Sequence, residues 1–228
     1  MCNKIILISR LQTKSRNRVV IAIAAIIMML VLSGISSCAD TGEPETPAAV
    51  DTSAKYSIAS GIIVYETRNE MLAAINEKWT YNLYFDDYGC REVKETYVNG
   101  ILIGKVVDDG IFHYELNFDK KVGIQEKSTS LGTEMPFAPE KYPGANLLSN
   151  LNVAGKNCRA FSIEEQSIPA VTTIAGWNGI ILMHEMKFNT GDRTITDTTI
   201  ATAIQVNNEI PASVFEIPQD FQIYKSEE

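Results

Sequence analysis

The sequence predicts a mainly antiparallel β domain with a little helix. The first observation is a succession of short segments rich in β-branched and aromatic residues, such as "SGIIVYET" at Ser60–Thr67. The second is the placing of Asn99-Gly100 and Asp109-Gly110 between such segments, because these pairs are typical of hairpin turns. The third is the scarcity of helical pattern, which is confined to Arg68–Ala74 and Pro139–Asn150.

The first half of the domain has the pattern of a meander of hairpins. In "WTYNLYFDDYG" the residues Trp79, Tyr81, Leu83 and Phe85 fall on one face of a strand, and the turn follows them. The segments "REVKETYV", "ILIGKVV" and "IFHYELNF" continue the meander. The second half repeats it with "NCRAFSIE", "AVTTIAGW", "GIILMHEMKF" and "RTITDTTIATAIQVN". So many strands with so little helix favour one curved, partly covered sheet over a flat sandwich.

Residues 1–37 have the order of an export signal. Five Lys or Arg residues precede fourteen unbroken apolar residues, Val19–Leu32, and small residues follow. A helix that spans a bilayer needs about 20 apolar residues, so a permanent anchor helix is the weaker interpretation. The sequence Ile35-Ser36-Ser37-Cys38 resembles the lipobox of bacterial lipoproteins, which implies cleavage before Cys38 and acylation of its sulfur. The alternative is an ordinary signal peptide with a free cysteine beside its cleavage site.

The stretch 38–54 reads as a tether between the lipidated cysteine and the domain at 55–228. It contains four acidic residues and two prolines and lacks aromatic residues, a composition that buries too little apolar surface to fold. Two or more acyl chains on Cys38 would hold the protein on a membrane without a spanning helix. Acidic residues after the cysteine resemble the surface-export signal of Bacteroidetes lipoproteins, so we expect a lipid-anchored envelope protein, on either face of the outer membrane.

The charge of the mature chain excludes one class of partner. Residues 1–37 hold five of the 20 Lys and Arg residues and none of the 28 Asp and Glu residues, so 15 basic side chains remain and the formal charge is −13. Such a field repels a phosphate backbone, and basic patches with interleaved aromatic residues are lacking in the sequence. We therefore expect no nucleic-acid partner.

Several segments of the domain resemble the LolA/LolB-like superfamily of lipoprotein carriers. They are "YNLYFDDYGCREVKETY", "DGIFHYELNFDKKVG", "VAGKNCRAFSIEE" and "IAGWNGIILMHEMKF". The closing pattern of that superfamily is matched by Ile210, Pro211, Ser213, Phe215, Ile217, Pro218 and Phe221. The resemblance implies a half-barrel, that is, a strongly curved antiparallel sheet with a few short helices covering its concave face. It also implies that a lipid or acyl chain is held in that concavity, in lipoprotein or lipid trafficking.

Aromatic residues on the predicted strands are the candidates for lining such a cavity. They are Tyr81, Phe85, Phe112, Tyr114, Trp177 and Phe188. An acyl chain gains about 0.8 kcal/mol for each buried CH₂ group, so even a partly buried chain would bind usefully. The alternative is that these side chains are ordinary core residues. The protein would then be a non-catalytic envelope interaction or adaptor protein with a filled cavity.

The remaining residues argue against an enzyme, a metal and a cofactor. Neither His113 nor His184 has a second histidine at metal-ligand spacing, so both read as surface histidines. The pairs Asp86-Asp87 and Asp108-Asp109 fall at expected turns and lack the ladder of oxygen ligands of a calcium loop. A serine elbow and a cysteine–histidine pair are also lacking, which leaves an envelope hydrolase as an outlying third hypothesis.

Cys90 and Cys158 leave two alternatives open. In an oxidising compartment a bridge between them would close a loop of about 70 residues and stabilise the fold by roughly 4 kcal/mol. They are equally compatible with two separately buried thiols, because free cysteine is among the most buried residue types.

Overall fold

The structure is a computed structural model that describes residues 54–128, 133–165 and 168–226. The chain divides after Asp51, and its second compact unit, Thr52–Glu228, holds every described residue. The predicted leader, Cys38 and nearly all of the predicted tether lie outside the described residues. Within the described ranges, no helix has both the length and the apolar character needed to cross a bilayer.

In the described part of the chain, twelve strands form one sheet. They are β1 (Gly61–Asn69), β2 (Trp79–Asp86), β3 (Arg91–Val98), β4 (Ile101–Asp108), β5 (Phe112–Asn117), β6 (Val122–Lys127), β7 (Asn146–Val153), β8 (Lys156–Glu165), β9 (Ala170–Trp177), β10 (Ile180–Asn189), β11 (Thr194–Val206) and β12 (Gln222–Lys225). The helical elements are short: α1 (Glu70–Ala74) and the 3-10 turns Asp87–Gly89, Pro139–Lys141 and Ala212–Phe215.

The strand order combines two meanders. It runs β12-β6-β5-β4-β3-β2-β1-β11-β10-β9-β8-β7, so β1–β6 and β7–β11 are each sequential, and they join where β1 pairs with β11. Every pairing is antiparallel except that of β12 with β6. The sheet stays open, with β12 at one edge and β7 at the other. The predicted mainly antiparallel β class is therefore confirmed.

The sheet curls strongly at the end where β1 begins. The backbone N–H of Tyr56 donates to the carbonyl of Tyr88 in the β2–β3 turn at 2.9 Å. The N–H of the next residue, Ser57, donates to the carbonyl of Asn178 in the β9–β10 turn at 3.0 Å. In a flat sheet these two turns would lie four strand spacings, about 19 Å, apart. Because consecutive residues reach both turns, the sheet must bend around residues 55–60, which we call the N-terminal segment.

The hydrophobic core lies on the concave face. Register aligns Ile63 with Leu83, and Tyr65 with both Tyr81 and Ala201, so these side chains share that face. Around them pack the buried side chains Tyr56, Ile58, Phe85, Val153, Cys158, Ala160, Ala175, Ile180 and Leu182. The N-terminal segment thus supplies two core residues, and it covers the concave face here, while α1 packs beside β1 and β11.

The convex face is also buried over part of the first meander. Val93 and Val107 are fully buried, and they pair with each other on the face opposite the core. The C-terminal segment 210–221 lies against this region, where the guanidinium of Arg91 lies 4.1 Å from the centroid of the Phe215 ring. The closing pattern singled out in the sequence therefore corresponds to a strap over the convex face.

The predicted helices differ from those observed. The helix expected over Arg68–Ala74 is shortened to α1, because β1 continues to Asn69. The helix expected over Pro139–Asn150 is wrong: a 3-10 turn ends at Lys141, and β7 begins at Asn146 and pairs with β8. Cross-strand pairing outweighs a weak local preference for helix here.

Candidate functional site

Three of the six predicted cavity-lining residues meet in the core of the concave face. Phe85 is fully buried there. Tyr81 stacks on Tyr65 with ring centroids 4.3 Å apart. Trp177 packs against the same cluster, with the ammonium group of Lys156 at 4.6 Å from its ring. These three side chains make the contacts of core residues.

The other three predicted residues lie elsewhere on the sheet. Phe112 is exposed at the start of β5 and makes an edge contact with Tyr114. Tyr114 pairs with Val107, which places it on the convex face. Phe188 is half-buried near the end of β10, opposite Ile195 of β11. The structure does not bring these three side chains to the concave core.

Two shallow clefts are formed by described residues, and both lie away from the concave core. Both occur beside α1, at the end of the sheet opposite the N-terminal segment, and Glu77 and Lys78 contribute to both. None of the six predicted aromatic residues lines either cleft.

A buried polar cluster occupies the concave face beside the core. We call it the Glu92 cluster: Lys55, Tyr56, Glu92, Thr133 and Glu134. Glu92 pairs with Phe85 across β2 and β3, so its side chain shares the concave face, and it is fully buried. Its carboxylate accepts hydrogen bonds from Lys55 Nζ (2.7 Å), Tyr56 Oη (2.5 Å), Thr133 N (2.7 Å), Thr133 Oγ1 (3.0 Å) and Glu134 N (3.2 Å).

Two glycines in neighbouring turns let the N-terminal segment approach this closely. Gly89 has φ +87°, and a Cβ atom there would lie 2.7 Å from the Tyr56 ring. Gly179 has φ +83°, and a Cβ atom there would lie 2.7 Å from the carbonyl oxygen of Lys55. Glycine is required at both positions for conformation and for space. The turns are therefore shaped to receive the segment.

Burial shifts the protonation equilibria of the cluster. Burial lowers the pKa of Lys55, and the attraction of Glu92 only partly offsets that effect. Burial, followed by the charge of Glu92, raises the pKa of Tyr56 well above its ordinary value, so its hydroxyl stays a donor. The Glu92 carboxylate accepts five hydrogen bonds from its own chain, so its lone pairs are engaged and are not open to a ligand. This arrangement suits a residue that stabilises the fold.

Asp108 forms a second buried group directly opposite Glu92 on β4. It accepts hydrogen bonds from Ser128 Oγ (2.7 Å) and Gly110 N (3.1 Å), and His113 Nδ1 lies at 3.4 Å. Burial raises the pKa of Asp108, but the hydrogen bonds from His113 and Ser128 outweigh it and bring the pKa below its ordinary value. The hydrogen bonds to Asp108 and then Glu115 raise the pKa of His113 to about 9.

The prediction that Asp108 and Asp109 are both turn residues is confirmed for Asp109 and wrong for Asp108. Asp109 accepts hydrogen bonds from the N–H groups of Ile111 and Phe112, which is the predicted turn chemistry. Asp108 instead turns into the protein, and His113 is a half-buried partner of it. In the described ranges, no group of His, Cys, Asp and Glu residues is arranged to hold a metal ion.

The two cysteines of the domain are separate free thiols in the structure. Cys90 is exposed in the β2–β3 turn, and Cys158 is buried in the core on β8. The two thiols are not bridged in the structure, and the alternative of two buried thiols holds for Cys158 alone, because Cys90 lies in a turn that faces solvent.

Comparison with known proteins shows a similarity of fold. No protein-family model matches the chain, and no curated protein matches it. An uncharacterized conserved protein from Thermus thermophilus superposes with a TM-score of 0.51 at 9% identity, over 75% of this chain and 92% of that chain. A crystal structure of MucB gives 0.50 at 10% identity, over 74% of this chain and 60% of that chain. A MucA/MucB complex from Pseudomonas aeruginosa gives 0.49 at 11% identity, over 75% of this chain and 59% of that chain.

These matches concern the fold. MucB is LolA-like, so the predicted curved antiparallel half-barrel is confirmed as a fold. The expectation that short helices cover its concave face is wrong for the described residues, because the N-terminal segment covers that face and α1 packs beside β1 and β11. The chain spans about three fifths of the MucB chain that it matches.

Proposed function

We propose that this chain is a lipid-anchored protein of the bacterial cell envelope whose half-barrel is a non-catalytic interaction module. The observation that carries the proposal is that the chain fills its own concave face. Tyr56 is 2% exposed, packs edge-on against Phe85 with ring centroids 4.9 Å apart, and donates to the buried Glu92. A ligand in this part of the concavity would have to displace that segment.

The filled concave face makes the interaction module the better of the two predicted functions. A lipid holder needs an apolar concavity that an acyl chain can enter, and pockets for small ligands are normally preformed. Here the apolar concave side chains of β1, β2, β9 and β10 contact one another and Ile58 of the N-terminal segment. The lipid-holding role inferred from the LolA/LolB resemblance therefore takes second place.

The anchor and the charge complete the proposal. The lipobox-like sequence before Cys38 and the acidic tether after it support attachment to the outer membrane, on either face. A mature chain with a formal charge of −13 would meet a basic protein surface with favourable long-range attraction. We therefore propose a basic protein segment of the envelope as the partner.

Native mass spectrometry of residues 39–228, before and after extraction with organic solvent, tests the choice between the two functions. The expected result is a single mass without bound ligand, and no uptake of a fluorescent fatty acid. A bound mass that leaves with the solvent would overturn the filled-cavity interpretation and identify the ligand. Tyr56→Ala provides a matched variant: it opens space beside Phe85, so gain of fatty-acid uptake in this variant alone would show that the segment is what excludes the ligand.

Photo-crosslinking in the producing cell tests the partner. A crosslinker placed at successive exposed positions of the half-barrel should yield discrete adducts with one basic envelope protein. Adducts with lipids alone, spread over all positions, would contradict a protein-binding role.

A further inference from the structure

Four exposed apolar side chains lie at the end of the sheet where the N-terminal segment enters. They are Tyr88 (46% exposed), Ile111 (67%), Phe112 (39%) and Met135 (49%). We call this set the apolar rim. Large apolar side chains that cluster on a surface mark a site of contact with a protein or a membrane.

The members of the apolar rim come from three parts of the chain that the fold brings to the same end of the sheet. Tyr88 lies in the β2–β3 turn, and Ile111 and Phe112 lie at the β4–β5 turn. Pairing of β3 with β4 brings the two turns together, and a Cβ atom on Gly110 would lie 3.4 Å from the carbonyl oxygen of Cys90.

Met135 joins the rim through the residues on either side of it. The N–H of Glu134 donates to Glu92 of β3, and the N–H of Phe137 donates to the carbonyl of Gly179 in the β9–β10 turn at 2.7 Å. Met135 is therefore held at the same end of the sheet as the two hairpin turns.

The turn that carries Ile111 and Phe112 is held by its own hydrogen bonds. Asp109 Oδ1 accepts from the N–H of Ile111 at 2.8 Å and from the N–H of Phe112 at 2.7 Å. The carbonyl of Ile111 accepts from the N–H of Ser128 at 2.9 Å. The two side chains are thus presented to the outside by a fixed backbone.

The tether from Cys38 enters the domain at the same end of the sheet as the apolar rim. The N–H of Tyr56 is bonded to the carbonyl of Tyr88, so the chain enters the domain beside the rim. Sixteen residues separate Lys55 from Cys38, and at no more than about 3.6 Å each they reach at most about 58 Å. A short tether keeps the attached surface at an effective concentration on the order of millimolar.

We propose that the apolar rim rests in the interfacial layer of the membrane that holds the lipid anchor. The inference depends on the proposed acylation of Cys38, and it adds a second contact that orients the domain. Apolar side chains enter this layer to a depth of about 5–10 Å, which the tips of two hairpins can reach. The acidic residues Asp87 and Asp109 lie in the same turns, so the membrane surface that fits is zwitterionic.

Environment-sensitive labels on the lipidated protein test this inference. The fluorophore NBD is attached at Ile111→Cys, with Ile101→Cys as the matched control, in a Cys90→Ser background. Ile101 is an equally exposed isoleucine (69%) at the other end of β4. The labelled proteins are reconstituted in phosphatidylcholine vesicles, with and without brominated acyl chains. We expect a blue shift and severalfold stronger quenching for the label at position 111 than for the label at position 101.

Flotation of the same vesicles separates failure of this inference from failure of the anchor. If the protein floats and the two labels give equal spectra, the membrane contact is overturned while the anchor stands, and the rim is free for a protein partner. If the wild-type protein does not float, the anchor and the membrane contact fail together. If Cys38→Ala floats equally well without a lipid, the anchor is overturned, and the label spectra of that variant decide the membrane contact: a blue shift at position 111 alone supports it, and equal spectra overturn it.

Discussion

The hydrogen bond from Tyr56 to Glu92 can be removed with almost no other change. Tyr56→Phe deletes one hydroxyl and retains the ring that packs against Phe85. A hydrogen bond to a charged group contributes about 1.5–3 kcal/mol to stability. Four donor contacts to the carboxylate remain in this variant, from Lys55 and Thr133 among others. We therefore expect the free energy of unfolding to fall by about 1.5–3 kcal/mol.

Urea unfolding followed by tryptophan fluorescence measures this loss. The midpoint should fall while the slope m stays constant, because the surface exposed on unfolding hardly changes. A domain of this size loses about 2–4 °C in Tm for each kcal/mol, so Tm should fall by about 3–12 °C. Tyr88→Phe is the control, since Tyr88 is exposed at the same end of the sheet, and it should stay within about 0.5 kcal/mol of wild type.

Glu92→Gln provides the upper reference for this experiment. It keeps the shape of the side chain but removes the negative charge that lies 2.7 Å from the ammonium group of the buried Lys55. Removing one partner of a buried ion pair typically costs about 3–5 kcal/mol. If Tyr56→Phe and Glu92→Gln both stay within about 0.5 kcal/mol of wild type, the N-terminal segment does not brace the fold, and the reasoning on the filled concave face is refuted.

Three further predictions concern other parts of the sheet. Gly61→Ala would place a Cβ atom 2.6 Å from the ring of Phe85, so we expect the free energy of unfolding in urea to fall by about 1–3 kcal/mol. Gly104→Ala is the control: its nearest atom would lie at 3.6 Å, so its loss should be smaller by at least about 1 kcal/mol. Because the folded pKa of His113 is raised to about 9, its stabilising effect is complete below its unfolded pKa of about 6.5 and disappears as pH rises through about 9. The Tm difference between wild type and His113→Gln should therefore be larger near pH ~6 than near pH ~10, and an equal difference at both would contradict the role of this side chain. Ellman's reagent should titrate Cys90 in the native domain and Cys158 after unfolding, and a non-reduced mass lighter by two hydrogens would show a bridge instead.

Most strands could be predicted because their signals are local. Alternation in "WTYNLYFDD" and the Asn-Gly turn at Asn99 act over a few residues, and both hold in the structure. β7 was missed because the apolar spacing of "NLLSNL" also fits a helix, and pairing with the distant β8 decides its conformation. β12 is four residues long and exists through its parallel pairing with β6, a contact that no local pattern specifies.

The Glu92 cluster could not be predicted, because its members come from three separate stretches of chain. Lys55 and Tyr56 lie 36 or more residues before Glu92, and Thr133 lies 41 residues after it. Alternation along "REVKETYV" assigns Val93 to the buried face and Glu92 to solvent. Both are fully buried in the structure. At the start of β3 the N-terminal segment covers the concave face, and the C-terminal segment 210–221 lies against the convex face. Charged residues in a strand carry no local sign of such covering.

The seam between β1 and β11 sets the order in which this protein acquires its structure. Gly61 pairs with Val206, so this pairing joins residues that are separated by most of the domain's sequence. Each meander, by contrast, needs only contacts between strands that follow one another in the chain. Contacts between distant residues form slowly, and ribosomes deliver the N-terminal strand first. One side of β1 therefore stays unpaired until nearly the whole chain has been synthesised. During that interval the apolar run of β1 offers a free edge to other chains, and its pairing with β11 is expected to be the late, rate-limiting event of folding.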